Sequence, residues 1–383
     1  MRRGWDGTIL LGGFECATQR RLDGVRVDGI AATRHDVNAA RDYNLLAEAG
    51  IRAARDGLRW HLIETAPGRY DWGSAAAMFD AARRTGTMVV WDLCHWGWPE
   101  HLDIWKPEFV EAFAAFSHAA VREMRARGVP VGGVVPVNEI SFWAWAGGHR
   151  PGFAPHGKGL GGPLKRQLIR AFLASSAAVR AADPTIPVLT SEPLIVVKPR
   201  PRSSRRSIAR AAIKQASMYE AWDLLLGRIE PELGGHEQAF DLLGVNWYPQ
   251  NQWLVHGRKL ELDDPRRETL ADLLTGLHGR YGRPIVITET GDEEPDCADW
   301  LDRVTKEAHA ALDAGVPLAG LCLYPVMDYS GWENERHCPC GLIALSPSFR
   351  ERQIRPHVRD ALRRMGQRLR CSEPSMRDLG AVA

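Results

Sequence analysis

The sequence alternates short apolar runs with segments of helical spacing, and it does so eight times. We interpret the apolar runs as strands at residues 9–17, 53–60, 88–95, 134–140, 186–193, 241–248, 284–290 and 318–326. The clearest helix spans 107–127, where Phe109, Phe113 and Phe116 recur every three or four residues. Alternating strands and helices predict a parallel sheet, and eight such units are the number that closes a barrel. We therefore predict an α/β fold, a single-domain (β/α)8 TIM barrel.

A doubly wound open sheet is the structural alternative. Such a sheet normally carries a Gly-rich phosphate-binding turn after its first strand. The Gly pair at 12–13 is followed by Phe and Glu and lacks that pattern. The 383 residues exceed the usual length of one domain, but α/β barrels routinely fill this range. We predict a barrel over 1–366 and a tail over 367–383, which we expect to be disordered.

Composition places the chain among ordinary soluble proteins, with 45% hydrophobic and 25% charged residues. The net charge of +2 gives no general argument for a nucleic-acid partner. The apolar run near the N-terminus, Ile9 to Leu11, is too short for a secretory signal or a membrane span. Seven cysteines without a disulfide framework suit a reducing compartment. We expect a cytoplasmic protein without a nucleic-acid or membrane partner.

Two local features depart from this average. The stretch 198–214 carries seven basic residues and no Asp or Glu. It fits a solvated insert with a basic helix start better than a patch for an anionic ligand, although a subunit contact or an acidic partner stays open. His337-Cys-Pro-Cys340 could in principle hold a metal, but structural zinc sites want a second ligand pair at similar spacing, and none stands nearby in the sequence. We expect no metal there.

Polar residues at the predicted strand ends carry the functional argument, because the active site of such a barrel lies at the C-terminal ends of its strands. Glu139 and Glu289 each end an apolar run, where an unpartnered carboxylate would be costly to bury. Retaining glycoside hydrolysis requires two carboxyl groups, one protonated and one ionised. An Arg beside the nucleophile would keep it ionised, and Asn138, next to the acid, is placed to hydrogen-bond a sugar hydroxyl. Further polar or aromatic strand ends are Glu15, Arg55, Arg59, Asp92, His95, Trp96, Glu192, Asn246, Tyr248, Tyr324 and Asp328. Asp328, near a turn, is expected to act as a cap outside the site.

Both carboxylate motifs resemble those of glycoside hydrolase family 1, within the clan of retaining (β/α)8-barrel glycosidases. Val137-Asn-Glu139 is similar to the acid/base motif after the fourth strand. Ile287-Thr-Glu-Thr-Gly291 is similar to the nucleophile motif after the seventh. The resemblance implies that Glu139 is the acid/base and Glu289 the nucleophile.

Three further segments extend the resemblance. Cys94 to Glu100 is similar to the family's His-Trp segment, which implies that His95 contacts sugar hydroxyls with Trp96 beside it. Arg55, upstream of Leu-Arg-Trp at 58–60, matches the second-strand Arg that pairs with the nucleophile. The segment 241–248 resembles the sixth-strand motif. Its final residue, Tyr248, is expected to hydrogen-bond the nucleophile, with Asn246 behind it.

The eighth-strand segment completes the likeness. Tyr324 to Trp332 is similar to the family's segment there, and it adds these two residues to the expected substrate contacts, together with Glu15 from the first strand. Several positions depart from the family pattern: Ile140 replaces a Pro, Thr290 replaces an Asn, and Gly331 stands where a sugar-binding Glu is usual. The family's first-strand Gln has no clear match, since Glu15 and Gln19 both fall off its spacing. These departures leave the reaction unchanged and the identity of the sugar open.

The sequence thus predicts a retaining exo-β-glycosidase that acts on a small β-linked, glucoside-like glycoside or oligosaccharide. The mechanism needs no metal or cofactor. One alternative is a transglycosylase with the same carboxylate pair. Another is a catalytically silent sugar-binding barrel, against which the presence of both carboxylates argues. The aglycone and the oligomeric state are left open.

Overall fold

The computed structural model describes residues 5–255 and 257–374, and within them eight parallel strands alternate with helices. The strands are β1 Ile9–Gly13, β2 Ala53–Gly57, β3 Met88–Cys94, β4 Val131–Val137, β5 Glu192–Pro193, β6 Leu243–Asn246, β7 Ile285–Thr290 and β8 Leu318–Leu323. The outer helices are α1 His35–Glu48, α2 Gly73–Thr85, α3 Pro107–Ala126, α4 Gly161–Ala182, α5 Arg205–Ala216, α6 Leu270–Tyr281, α7 Cys297–Asp313 and α8 Pro356–Arg368.

The strands form one sheet in the order β4-β3-β2-β1-β8-β7-β6-β5, with every neighbouring pair parallel. Its two edges meet. Val134 of β4 forms a parallel bridge with Val188, just before β5, and the N–H of Glu139 donates to the carbonyl of Ser191 at 2.8 Å. The predicted (β/α)8 barrel is therefore confirmed.

The alternation of side chains along each strand divides the core into two layers. On β2, Ala53 belongs to the cluster inside the barrel, whereas Ala54 belongs to the cluster between the strands and the outer helices. By the same alternation Arg55 points inward and Asp56 outward. The inner cluster includes Ile9, Leu11, Met88, Val90, Val135, Leu189, Leu242, Val286 and Ala319.

Seven of the eight predicted strands are shorter in the structure, and the fourth is shifted to 131–137. The first and the fifth show why the ladder is shorter. The first ends at Gly13 instead of residue 17, because the chain there leaves the ladder and follows its neighbours, with the N–H of Thr18 donating to the carbonyl of His95 at 2.9 Å. The fifth keeps a regular ladder only at its end. Pro187 lies within it and has no N–H to donate, although its carbonyl accepts from Val134 at 2.9 Å.

Short helices and short strands lie in the loops between the barrel strands and the outer helices. Most lie after the C-terminal ends of the strands, which is where a barrel of this kind builds its site. The short helices are Gly29–Ala32, Trp60–Ile63, Ile140–Trp143, Ala144–His149, Ser217–Tyr219, Glu220–Leu225, Pro231–Leu233 and Pro249–Asn251. The short strands are Glu64–Ala66, Arg69–Tyr70, Val196–Lys198, Gln252–Leu254, Tyr329–Ser330, His337–Cys338, Ile343–Leu345 and Arg352–Ile354.

The end of the chain packs against its beginning. Helix α8 runs to Arg368, and the N–H of Ser372 donates to the carbonyl of Thr8 at 2.8 Å. Of the predicted tail, 367–374 is described in this way and 375–383 lies outside the described residues. None of the helices within the described ranges is both long and apolar enough to cross a membrane.

Candidate active site

The two predicted carboxylates meet at the C-terminal end of the barrel, and Asn246 links them. Glu139 follows β4, whereas Glu289 lies in β7 opposite Asn246 of β6. The Nδ2 amide of Asn246 donates to Oε1 of Glu139 at 2.8 Å. Glu139 is 9% exposed and Glu289 5%, so both carboxylates are nearly withdrawn from water.

The backbone of Glu139 has an unusual conformation. Its φ of 43° lies in the left-handed region, which is uncommon for a residue other than glycine. The residue precedes the short helix Ile140–Trp143, and the carbonyl of Ser191 fixes its N–H. Trp96, on the neighbouring loop after β3, has a φ of 68° and donates its indole N–H to the carbonyl of Asn138 at 2.9 Å. Such conformations cluster at functional sites, where the surrounding structure holds them.

Glu289 has partners quite unlike those of Glu139. Its Oε1 accepts from Nη1 of Arg55 at 2.7 Å, and its Oε2 accepts from the hydroxyl of Tyr248 at 2.8 Å. Each carboxylate oxygen therefore has a strong donor, and one donor is a full positive charge. Charge-assisted bonds of this kind favour the ionised form of the carboxyl.

Arg55 holds the site together through Asp92, which sequence analysis noted only as a strand end. The Nε and Nη2 groups of Arg55 donate to the two oxygens of Asp92 at 2.9 and 2.8 Å. Nη2 also donates to Oδ1 of Asn138 at 2.7 Å. The side chains of Asp92, Asn138 and Glu289 thus fix the guanidinium, together with the backbone carbonyl of Thr288.

His95 closes this network into a ring. Its Nδ1 lies 2.9 Å from Asp92 and its Nε2 lies 2.8 Å from Nδ2 of Asn138. Because Oδ1 of Asn138 faces Arg55, its amide nitrogen donates to Nε2, and Nδ1 of the ring faces Asp92. His95 therefore orients Asn138 and leaves the second amide hydrogen of that residue free of this ring.

The pKa shifts in the site run in opposite directions. Burial, and then repulsion from Glu289, raises the pKa of Glu139 well above its ordinary value. Burial would also raise the pKa of Asp92, but the charge of Arg55 and the hydrogen bond from His95 outweigh it and lower that pKa. The raised pKa favours the protonated form of Glu139, whereas the lowered pKa favours ionised Asp92 beside Arg55.

The remaining predicted contacts form an aromatic wall. Trp96 lies at ring-centroid distances of 4.6 Å from His95 and 5.2 Å from Trp332. Tyr324 stacks against His95 at 6.3 Å, and its ring fits there because a Cβ on Gly13 would come within 2.2 Å of it. Aromatic faces of this kind suit the C–H patches of sugars.

Glu15 is buried beside this wall. Its Oε1 accepts from the N–H of Ala17 at 2.8 Å. Burial raises its pKa, against the opposing effects of His95, the Ala17 N–H and the Trp332 indole. All eleven residues predicted for the site therefore lie at this end of the barrel.

Sequence reasoning missed Gln19 and Glu192 as parts of the site. Gln19 is fully buried, and within the described residues neither atom of its side-chain amide has a hydrogen-bond partner. Glu192 accepts from the N–H of Ser141 through Oε2 at 3.1 Å, and burial raises its pKa to about 7. Glu192 ends a predicted strand, so its position was a usable signal. Gln19 falls off the spacing at which the resembled family places its first-strand Gln, so the sequence alone did not assign it.

Cys16 forms a group with Asp92 and His95 whose potential ligand atoms all lie within 4.8 Å of one another. Both oxygens of Asp92, however, accept from Arg55. A guanidinium at that distance repels a metal cation, and burial raises the pKa of the Cys16 thiol well above its ordinary value. The chemistry of this group is therefore that of a hydrogen-bonded carboxylate rather than a metal site.

Two other sequence features lie outside the site. Asp328 accepts from the N–H groups of Cys340 and Leu345 at 2.8 and 2.9 Å and pairs with Arg355. In the His337-Cys-Pro-Cys340 segment, the thiols of Cys338 and Cys340 lie within hydrogen-bond range of backbone carbonyls.

The fold and the position of the site define a (β/α)8 barrel of the type found in family 1 β-glucosidases. A β-glucosidase from Thermotoga maritima in complex with deoxynojirimycin matches with a TM-score of 0.76 over 95% of this chain and 98% of that chain, at 16% identity. A structure titled family 1 β-glucosidase from the same organism gives 0.75 over 96% and 99%, at 16% identity.

A third structure extends the comparison to another organism. The AHE enzyme from Alicyclobacillus herbarius matches with a TM-score of 0.77 over 94% of this chain and 98% of that chain, at 17% identity. No protein-family model and no curated protein matches the sequence. The similarity at these identities is one of fold.

Proposed function

We propose that this chain is a retaining exo-β-glycosidase that cleaves a β-linked glycoside by double displacement, with Glu139 as acid/base and Glu289 as nucleophile. The observation that carries the proposal is the unequal environment of these two carboxyls. Glu289 accepts from Arg55 and Tyr248, whereas Glu139 accepts only from the neutral amide of Asn246 within the described residues. Burial and repulsion keep Glu139 protonated, while a guanidinium favours ionised Glu289.

In the first step the carboxylate of Glu289 attacks the anomeric carbon. The bond to the leaving oxygen breaks as Glu139 gives that oxygen its proton. In the second step Glu139, now ionised, takes a proton from water, and the resulting hydroxide equivalent displaces Glu289 from the sugar. The proton balance closes, because Glu139 is protonated again at the end.

The groups around this pair supply the contacts that a sugar needs. Asn138 has one amide hydrogen that the ring of Arg55, Asp92 and His95 does not use. Gln19 offers a buried amide without a partner, and Trp332 an aromatic face. A buried polar group of this kind costs free energy until a ligand satisfies it, which favours hydroxyl recognition.

The limited exposure of both carboxylates supports attack on a terminal sugar rather than within a long chain. The comparisons add support at the level of fold, because β-glucosidases, one of them bound to deoxynojirimycin, share this architecture.

Hydrolysis of a panel of nitrophenyl β-glycosides tests the proposal, together with mass spectrometry after incubation with the corresponding 2-fluoro sugars. We expect nitrophenol release from at least one glycoside and a mass adduct on the peptide that contains Glu289. Glu289→Gln is the matched control and should take no label. Silence across the panel combined with no adduct would contradict the proposal.

A further inference from the structure

Exposed large apolar side chains concentrate at the catalytic end of the barrel. Ten such residues are exposed among those described. Six lie in the loops that follow β1 to β4, namely Leu22, Val25, Leu62, Trp105, Trp145 and Leu160, and two lie on α5, Ile208 and Ile213. The other two are Val37 on α1 and Ile229. Single exposed apolar residues need no explanation, but their concentration at one end of a domain marks an interaction surface.

Helix α5 is the most pronounced part of this end. Ile208, Ala209, Ala212, Ile213 and Ala216 follow the spacing of one helical stripe, and all five are exposed. Ile208 is 50% and Ile213 71% exposed, whereas Ala211 is the buried residue of the helix. The helix therefore turns an apolar stripe to solvent, the reverse of a helix that packs on a core.

The position of α5 is set by a pair of short strands on the rim of the site. Val196–Lys198 follows β5 and pairs with Gln252–Leu254, which begins four residues after Tyr248. Ala211 of α5 packs with Val197 and Val255 on this pair. A ligand bound by α5 thus lies beside the mouth of the catalytic site.

The charge of this segment is opposite to that of the rest of the chain. Seven Lys and Arg lie within 198–214 and no Asp or Glu, and the other 42 Lys and Arg with 47 Asp and Glu give the remainder a net charge of −5. Lys198 pairs with Glu268. The other six, which have no ion-pair partner among the described residues, are Arg200, Arg202, Arg205, Arg206, Arg210 and Lys214.

We propose that α5 with Arg200 and Arg202, here called the α5 face, docks on an anionic lipid surface. A basic helix with an apolar stripe is the pattern that binds lipid headgroups through its cations and acyl chains through its stripe. Such a helix lies on the membrane without crossing it. The sequence predicted no membrane partner because it lacks a spanning segment and a signal, and docking of a surface helix requires neither.

Other occupants fit less well. A second copy of this chain would bring six unpaired cations against six more. Nucleic acid would use the cations but gain little from an exposed stripe of Ile and Ala. An acidic polymer would pair with the cations but, like nucleic acid, would gain little from the exposed stripe of Ile and Ala.

Docking in this way would hold the catalytic mouth against the lipid. If the proposed function holds, the substrate class is then a β-glycoside of a lipid-like alcohol, whose sugar enters the site while its apolar part stays in the membrane. This second step rests on the proposed function, and the docking does not.

Cosedimentation of the full chain with vesicles tests the docking. The vesicles are phosphatidylcholine alone, or phosphatidylcholine with phosphatidylglycerol in a ratio of about two to one. We expect binding to the anionic vesicles alone, falling as salt rises. The triple variant Arg205→Glu, Arg206→Glu, Arg210→Glu and the pair Ile208→Ser, Ile213→Ser should each lower the vesicle-bound fraction at least about tenfold.

Matched controls lie on helices away from this face. Arg83→Glu, Arg84→Glu and Arg122→Glu make the same change in net charge on exposed positions of α2 and α3, and Val37→Ser removes an exposed apolar group from α1. These variants should bind vesicles like the parent. Equal loss in the charge controls would overturn the proposal in favour of unspecific charge attraction. Retention of the chain on polyglutamate beads without binding to vesicles would also overturn the proposal, because it would show that the α5 face binds an acidic polymer.

The substrate class has its own measurement. Anionic lipid should raise the rate on an alkyl β-glycoside embedded in vesicles but should not raise the rate on a soluble nitrophenyl β-glycoside. If the chain binds vesicles but hydrolyses neither glycoside, the docking proposal stands and the proposed function is wrong. If it hydrolyses both glycosides but does not bind vesicles, the proposed function stands and the docking proposal is wrong.

Discussion

Two neighbouring residues of β2 anchor two buried charge networks that differ in completeness. Arg55 points into the barrel and bonds Asp92, Asn138 and Glu289. Asp56 points outward and accepts from Nε2 of His35 at 2.9 Å and from the hydroxyl of Tyr43 at 2.6 Å. One strand thus carries the centre of the inner network on one face and part of an outer network on the other.

The outer network balances its charges. His35 also bonds Asp42 at 2.8 Å, and Asp42 pairs with Arg352. Burial alone would lower the pKa of His35, but Asp56 and Asp42 raise it to about 9, so the imidazole is charged at neutral pH. Two cations therefore face two carboxylates, all four fully or nearly buried.

The inner network is left incomplete. Arg55 alone faces both Asp92 and Glu289, with Glu139 close enough to be repelled by Glu289. Gln19 and one oxygen of Glu192 lack partners among the described residues. Strand β2 therefore contributes to folding stability through its outer face. On its inner face, buried polar groups without partners cost stability, and a ligand supplies the missing partners.

The variant Glu289→Gln is the strongest test of the difference between the two networks. If the inner network serves the reaction, this change should lower kcat/KM on the best nitrophenyl β-glycoside by at least about 10⁴-fold, or roughly 5.5 kcal/mol at the barrier. The free energy of unfolding should change little, because Arg55 keeps the charge of Asp92 as its partner. Urea unfolding and steady-state kinetics on the same preparation measure both. A loss of unfolding free energy as large as the increase in the activation barrier would contradict this division of roles between the two faces of β2.

The converse change is Asp42→Asn in the outer network. It leaves Arg352 and His35 with an uncompensated buried charge, for which we expect about 3–5 kcal/mol of lost stability. The rate of the remaining folded enzyme should stay within about twofold. Asp302→Asn is the control, because it breaks an exposed pair with Arg364 and should cost no more than about 1 kcal/mol.

The sequence predicted the inner network better than the outer one, for a physical reason. Arg55, Tyr248 and Glu289 lie in or just after the C-terminal halves of strands, and closing a parallel barrel brings these halves together whatever the details of packing. Asp42 and Arg352 lie 310 residues apart, on a helix and a hairpin. Charged residues with helical spacing usually indicate a solvated face, so only the packed structure reveals that these are buried.

Within the site, Asp92 shows the same limit. Its position at the end of β3 marked it as polar and convergent, but its bidentate bond with Arg55 depends on side-chain geometry that spacing does not encode. The eight strands and eight outer helices followed from periodicity, whereas the end of the first strand at Gly13 depended on hydrogen bonds to its neighbours.

The two networks should also respond differently to pH. The pKa of His35 is raised in the folded state, from 6.5 to about 9, so its stabilisation is fully present below about 6.5 and is lost as pH rises through about 9. This amounts to up to about 3 kcal/mol at 1.36 kcal/mol per pKa unit. His35→Gln should flatten that alkaline slope in urea unfolding.

The pH dependence of the activity should instead follow the protonation of Glu139. Its raised pKa predicts that kcat/KM persists above the ordinary carboxyl range and falls when Glu139 loses its proton. The alkaline limb of kcat/KM should therefore be the same in His35→Gln as in the parent. A shift of that limb with His35 would show that the networks are coupled across β2.

The smallest effect comes from a matched pair of tyrosines. Tyr248 donates to Glu289 at 2.8 Å and Tyr43 donates to Asp56 at 2.6 Å, so each Tyr→Phe change removes one hydroxyl from one buried carboxylate. A hydrogen bond to a charged group contributes about 1.5–3 kcal/mol. In Tyr248→Phe we expect that loss in the rate, as a fall of about 10–100-fold in kcat with little change in unfolding. In Tyr43→Phe we expect it in stability with kcat unchanged. Should both variants lose stability alike and keep kcat, Tyr248 would be a packing residue, and the inner face of β2 would differ from the outer only in its exposure to the cleft.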